Sequence, residues 1–261
     1  MIDKQVNRLV LLVLELNKKI IYNLTGDKMA QKDYYIVKKN VDKIINRNQT
    51  NFLDPLLLKK VISKLKGYDY QIYYPYKESE KVILYTDELP NIKLLEIITY
   101  DKLSHREIMG SLFGMNLDSE TFGDIIIENG HYYIMIIDSL YNLITNDLKM
   151  IGNHSIKLKE VPLQTIENYR HKYEKIEMIV SSLRIDTIVS KIAGTSRDSV
   201  KKLFKEGLIV LNYEKVNKTN HLLREGDTFS IRKYGKYKYM GIIKNTKKGG
   251  YIIGLDKYID E

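Results

Sequence analysis

Residues 181–216 read SSLRIDTIVSKIAGTSRDSVKKLFKEGLIVLNYEKV, and this stretch decides how the C-terminal third of the chain folds. Ile185, Ile188, Val189 and Ile192 fall at i, i+3, i+4 and i+7, which places them on one face of a helix that stops at Gly194. Ser196 is a natural N-cap for a second helix, Gly207 its natural stop, and Val200, Leu203 and Phe204 its buried side. On the first helix Arg184 and Lys191 share a flank. On the second, Arg197, Lys201 and Lys205 follow at i, i+4 and i+8 with Lys202 beside them, so the cations line one exposed stripe. Like charges at this spacing repel. Either water solvates the stripe, or phosphate supplies the counter-charge.

Downstream, residues 208–211, 214–216 and 228–232 read as short strands, with a turn at Gly226-Asp227. Lys233, Lys236 and Lys238 then interleave with Tyr234, Tyr237 and Tyr239, a pattern suited to neutralising a backbone while stacking on unpaired bases. Charge points the same way. From residue 180 onward there are 17 Lys and Arg against 9 Asp and Glu, or +8 of the chain's total of +9. A basic excess confined to one end is the footprint of a module that binds a polyanion.

Upstream, the period changes. Residues 71–76, 81–86 and 92–100 read as strands, 104–114 as a helix, 122–128 and 131–137 as strands closed by Asn129-Gly130, 138–148 as a helix and 154–160 as a strand. From residue 92 the order is βαββαβ, the split βαβ plait of ferredoxin-like and RNA-recognition-motif-like domains. Its strands lack the basic-aromatic signature of an RNA-recognition motif, so whether this sheet meets RNA or protein stays open. Before it, residues 6–21, 34–45 and 55–65 carry helical spacing, with Asp54-Pro55 as N-cap and first-turn proline. Residues 163–179 are charged and read as a helical linker. The expected class is α+β, with an N-terminal helical region at 1–66, a plait at 67–162, the linker at 163–179 and the basic module at 180–261.

Several classes are disfavoured. The chain has no cysteine, which rules out a disulfide framework, a thiolate zinc site and a Cys nucleophile, and fits a cytoplasmic location. The apolar run at residues 9–14 is too short to span a bilayer, so no membrane insertion is expected. His105, His131, His154, His171 and His221 show no paired metal spacing. Ser104 and Glu107 form a capping box, which makes His105-Arg106-Glu107 the first turn of a helix rather than a catalytic motif. No glycine-rich loop is followed by the lysine that a phosphate-binding loop needs. No enzymatic activity, cofactor or metal is expected.

The stretch from residue 181, continued by LLREGDTFSIRKYGKYK at 222–238, closely resembles the small alpha-L RNA-binding domain of ribosomal protein S-four type. The LRID start, the SR opening the second helix, the EGLIVLN strand and the EGD turn carry the likeness over about 55 residues. The resemblance implies RNA contact through Arg184, Ser196, Arg197, Lys201, Lys202 and Asn212. Where the family has Asn-Gly after the first strand this chain has Asn212-Tyr213, and tyrosine is poor at positive φ, so that turn is expected to be remodelled. Lys191, Lys205, Lys236 and Lys238 join the candidate RNA-binding set on the charge pattern above.

FLDPLLLKKV at 52–61, LSHREIMGSLFG at 103–114, ETFGDIIIENG at 120–130 and KLKEVPL at 157–163 resemble the bacterial YlmH proteins. That resemblance implies a factor acting on ribosomal RNA and tRNA at the large ribosomal subunit, in quality control of stalled peptidyl-tRNA complexes, with a link to cell division. Two other readings remain at this point. One is an RNA-modifying enzyme of the pseudouridine synthase or methyltransferase class. The other is a division-linked adaptor whose protein partner meets the N-terminal helices or the plait.

Overall fold

In a computed structural model the described residues are 28–216 and 218–259, with only the backbone described at 28–30 and 197. The helix expected over residues 6–21 lies outside them. The fold is α+β, and the chain divides between Tyr169 and Arg170 into two units.

The first unit opens with α1 (Lys28–Arg47) and α2 (Pro55–Ile62). Asp54 caps α2 by accepting from the Leu57 amide at 2.8 Å, and Pro55 supplies a first residue whose missing N–H costs nothing there. Val37, Val41 and Ile44 of α1 close a core with Leu53, Val61, Leu65 and Leu84. Leu84 belongs to a small hairpin of β1 (Gln71–Tyr73) and β2 (Ile83–Tyr85), shorter strands than their sequence suggested.

Next come β3 (Ile92–Ile98), α3 (His105–Gly114), β4 (Phe122–Glu128), β5 (His131–Ile137), α4 (Tyr141–Asp147) and β8 (Lys157–Val161), with the added hairpin of β6 (Met150–Ile151) and β7 (His154–Ser155). The four-stranded sheet has the order β4-β5-β3-β8, with every pair antiparallel. The β4–β5 turn keeps Asn129 and Gly130 at positive φ, as a two-residue hairpin requires. The strand expected at 154–160 is two pieces, because residues 154–155 pair with 150–151 before the chain joins the main sheet.

Both faces of that sheet are covered. Leu95, Ile97, Ile134 and Ile136 pack with Ile108 and Leu112 of α3 and Ile144 of α4. The alternate residues Leu94, Tyr133, Met135 and Ile137 pack with Phe52, Tyr76, Ile83 and Ile166. A strand apolar on both sides must be buried on both sides. Phe52 approaches so closely that a Cβ on Gly123 would sit 2.9 Å from its Cε1 and 3.0 Å from Met135 Cβ, so glycine is required there.

Residues 163–179 are not a helical linker. A short 3-10 turn at Leu163–Ile166 buries Ile166 in the first unit. The chain then forms β9 (Tyr173–Val180), whose whole length pairs with β14 (Tyr251–Tyr258). Its alternation of Ile176, Met178 and Val180 inward with charges between suits a half-buried strand better than a helix.

The second unit is thus a six-stranded sheet, β11-β10-β12-β13-β14-β9. It contains β10 (Ile209–Leu211), β11 (Glu214–Lys215), β12 (Thr228–Ile231) and β13 (Gly235–Asn245), with α5 (Ile185–Ala193) and α6 (Arg197–Lys205) against its inner face. Ile185, Ile188 and Val189 of α5 and Val200 and Phe204 of α6 are buried there, as the helical spacing requires. Gly207, at φ 65°, ends α6: its N–H bonds to the Phe204 carbonyl and the Leu208 N–H to the Leu203 carbonyl, the paired bonds of a Schellman stop.

Candidate nucleic-acid interface

α6 is built to present cations. Ser196 caps it by accepting from the Ser199 amide at 3.3 Å, and burial of Val200 and Phe204 fixes which side faces water. Lys201, Lys202 and Lys205 then stand exposed on the opposite side. Lys201 reaches Asp198 at 2.9 Å, and that hydrogen bond holds the Asp198 carboxyl below its ordinary range. Lys202 lies 4.0 Å from Glu206. Exposed pairs of this kind contribute little to stability, so both lysines can exchange their carboxylate for a phosphate. Among the described residues Lys205 has no carboxylate within ion-pair distance. Arg197 is the first residue of the helix, beside backbone N–H groups and the positive end of the helix dipole.

On α5 the situation differs. Arg184 is the N-cap, and its guanidinium grips Asp186 twice, Nε to Oδ1 at 3.1 Å and an Nη to Oδ2 at 2.7 Å. Burial works against the Asp186 carboxylate, but the Arg184 bonds prevail and keep its carboxyl below the usual range. Arg184 therefore uses two of its N–H donors within the chain before any ligand arrives. Lys191 is exposed beside a shallow depression that also involves Thr187, Ser190 and Thr195.

The interleaved lysines and tyrosines of β13 sort by strand period. Tyr237 and Tyr239 are core residues, 3% and 2% exposed, and Tyr237 stacks on Phe229 at 5.4 Å while its hydroxyl donates to the Tyr234 carbonyl. Neither can stack on a base. Lys236 and Lys238, on alternate residues, point away from the helices to the outer face of the sheet. There the Lys236 ammonium lies 5.2 Å from the Tyr213 ring and 4.6 Å from the Tyr258 ring. The sequence pattern thus mixed two surfaces: α6 carries one set of cations and the outer sheet face another.

Asn212 is a brace. Its Nδ2 donates to Asp227 at 2.8 Å and its Oδ1 accepts from the Thr228 amide at 3.0 Å, tying the β10–β11 turn to the start of β12. The turn is not remodelled. Asn212 and Tyr213 both take positive φ, 48° and 67°, and remain a two-residue loop between Leu211 and Glu214. The Lys236 contact helps hold Tyr213 in a conformation that tyrosine disfavours.

In the first unit, Ser104 and Glu107 form the full capping box, so Glu107 serves the helix end. His131 pairs with Glu96 at 2.9 Å and His154 with Asp101 at 3.1 Å. Among the described residues no group of three or more His, Asp or Glu is placed to hold a metal ion, and no helix is long and apolar enough to cross a membrane. Tyr132 and Tyr133 are buried strand residues. The sheet face that an RNA-recognition motif would offer to bases is occupied by Phe52, Tyr76 and Ile83. Sequence inspection missed this cover. Its only signal was that both alternations of 131–137 are apolar.

Residues 88–165 match the family model described as "Putative RNA-binding domain in YlmH". The chain is 24% identical over 233 residues to "Ribosome-associated protein quality control protein P2" of Bacillus subtilis (strain 168), covering 84% of this chain and 91% of that protein. The solved structure "Cell division protein ylmH from Streptococcus pneumoniae" is similar at a TM-score of 0.44 and 21% identity, covering 54% of this chain and 96% of that one. The likeness to YlmH-type RNA-binding proteins, first seen in short motifs, is thereby shown over the plait by the family model and over most of the chain by the Bacillus relative.

Proposed function

From that likeness we propose that the chain is a non-catalytic RNA-binding protein that works on the ribosome. Its binding partners are ribosomal RNA and tRNA at the large subunit, and its task is quality control of stalled peptidyl-tRNA complexes in the cytoplasm. The observation that carries the RNA reading is α6, whose solvent side carries Lys201, Lys202 and Lys205, with Asp198 the only carboxylate of the helix, while its other side is locked into the core. Such a helix gives up weak surface ion pairs for phosphates at little cost, and its N-terminus adds backbone donors. The ribosomal setting comes from the Bacillus relative, whose name places that protein in ribosome-associated quality control.

RNA crosslinking in cells with sequencing of the attached fragments, together with gradient sedimentation, tests this. The expected result is enrichment of large-subunit ribosomal RNA and tRNA, and comigration with large subunits that is lost at high salt. Nucleoside profiles of ribosomal and transfer RNA should be the same in deleted and restored cells. A modification that depends on this protein would refute the non-catalytic reading, and RNA enrichment without ribosomal species would refute the ribosomal one.

A further inference from the structure

The plait matches a family described as RNA-binding, yet its sheet has no free face, so any RNA contact in this unit must lie elsewhere. A cleft of about 230 Å³ opens at one end of the sheet. Asn91 enters β3 there and Asp138 and Ser139 leave β5, while Lys43 and Arg47 of α1 and Asn51 line the other side. Gln49 braces the rim by accepting from the Asn91 amide at 2.9 Å.

Three features of this cleft are incomplete as they stand. The Lys43 ammonium is half-buried, and its hydrogen-bond partner is the neutral Asn51 side-chain oxygen rather than a carboxylate. Burial, with Lys39 and Arg47 adding to it, lowers the Lys43 pKa, so its charge lacks adequate compensation. Asn51 is 1% exposed, yet its Nδ2 finds no acceptor among the described residues. Arg47 stands exposed at the rim with no ion-pair partner among the described residues.

We propose that this cleft holds one phosphate of an RNA strand, with Lys43 and Arg47 as donors and Asn51 bracing Lys43 from behind. The inference rests on the RNA-binding reading above and extends it to a second contact, in the other unit. Charge favours a diester. Lys43 and Arg47 against Asp138 leave a net of about one positive charge, which matches the single charge of a backbone phosphate better than a free dianion. Asp138, shared with Lys93 at 4.0 Å, is left as an acceptor for a ribose hydroxyl.

The test uses the full chain and labelled large-subunit ribosomal RNA. Arg47→Ala, at an exposed position, should weaken binding roughly tenfold and lower the slope of log affinity against log salt by about one. Lys43→Met should weaken it similarly while its melting temperature holds or rises, since an under-compensated buried charge is removed. If wild-type protein binds RNA and both variants match it in affinity and slope, the cleft assignment is wrong and the wider reading survives. Wild-type protein that binds no RNA refutes both. Competition by millimolar inorganic phosphate as effective as RNA itself would show a free-anion site and overturn the strand assignment.

Discussion

α5 and α6 are both nine residues long, both amphipathic, and packed side by side on the same sheet, yet they use their cations in opposite ways. The α5 arginine is held by Asp186 through two hydrogen bonds. The α6 lysines meet only exposed carboxylates at the ends of flexible side chains, or none. A residue count scores these helices alike. What separates them is whether a partner of opposite charge is fixed nearby, which decides whether a positive charge holds the fold together or is left for a ligand.

The most severe way to break this contrast is to reverse the α6 stripe. Replacing Lys201, Lys202 and Lys205 with Glu should cost at least about 3 kcal/mol of RNA binding, a hundredfold or more, and flatten the salt dependence by about three in slope. Anisotropy titrations at several salt concentrations measure both quantities, and the melting temperature should stay close to wild type. Arg197→Ala comes next. It should weaken binding by about 1.5–3 kcal/mol while stability shifts by no more than about 0.5 kcal/mol, read from the same titrations and from denaturant unfolding.

Arg184→Ala should give the reverse signature, with lower stability and RNA affinity of the folded protein within about twofold of wild type. Acid sharpens the point. The Asp186 carboxyl is held below its unfolded value of about 3.9, so the stability it contributes is in full force above that pH. That contribution drains away as pH falls through the lower folded value. The difference in melting temperature between wild type and Asp186→Asn should therefore be constant from pH 7 to 5 and shrink below pH 4. The smallest effect is expected at Lys236→Ala. Loss of its two ring contacts should cost about 0.5–1 kcal/mol of stability and leave RNA affinity within about twofold. A tenfold loss of affinity there would mean that the outer sheet face, not α6, meets the RNA.

Much of the fold was legible where one period dominated. The i, i+3, i+4 spacing in 185–192 and 200–204 identified the buried faces of α5 and α6, and Asn129-Gly130 identified a hairpin. Legibility failed where a short segment supports two periods. The charged run 173–180 admits either a helix or a half-buried strand, and only its partner β14, far along the chain, decides between them. Two tyrosines were misread for a related reason. Tyr237 and Tyr239 looked available because lysines surround them, but a period of two sends them inward and the lysines outward. Nothing in the sequence announced that Asp186, two places on, would hold the fork of Arg184.

The pairing of β9 with β14 also sets a schedule. β9 is made before both helices and all the other strands of its sheet, and its only sheet neighbour is the last of them. At about 5–20 residues per second, the interval between completing Val180 and completing Tyr258 is roughly 4–16 s. Through that time a strand with Ile176, Met178, Ile179 and Val180 along it has no mate. Glu174, Lys175 and Glu177, spaced along the same strand, are the kind of charges that deter stray strands from adding to an open edge. Until Tyr258 is made, those charges are what the strand has along its length to discourage a wrong partner.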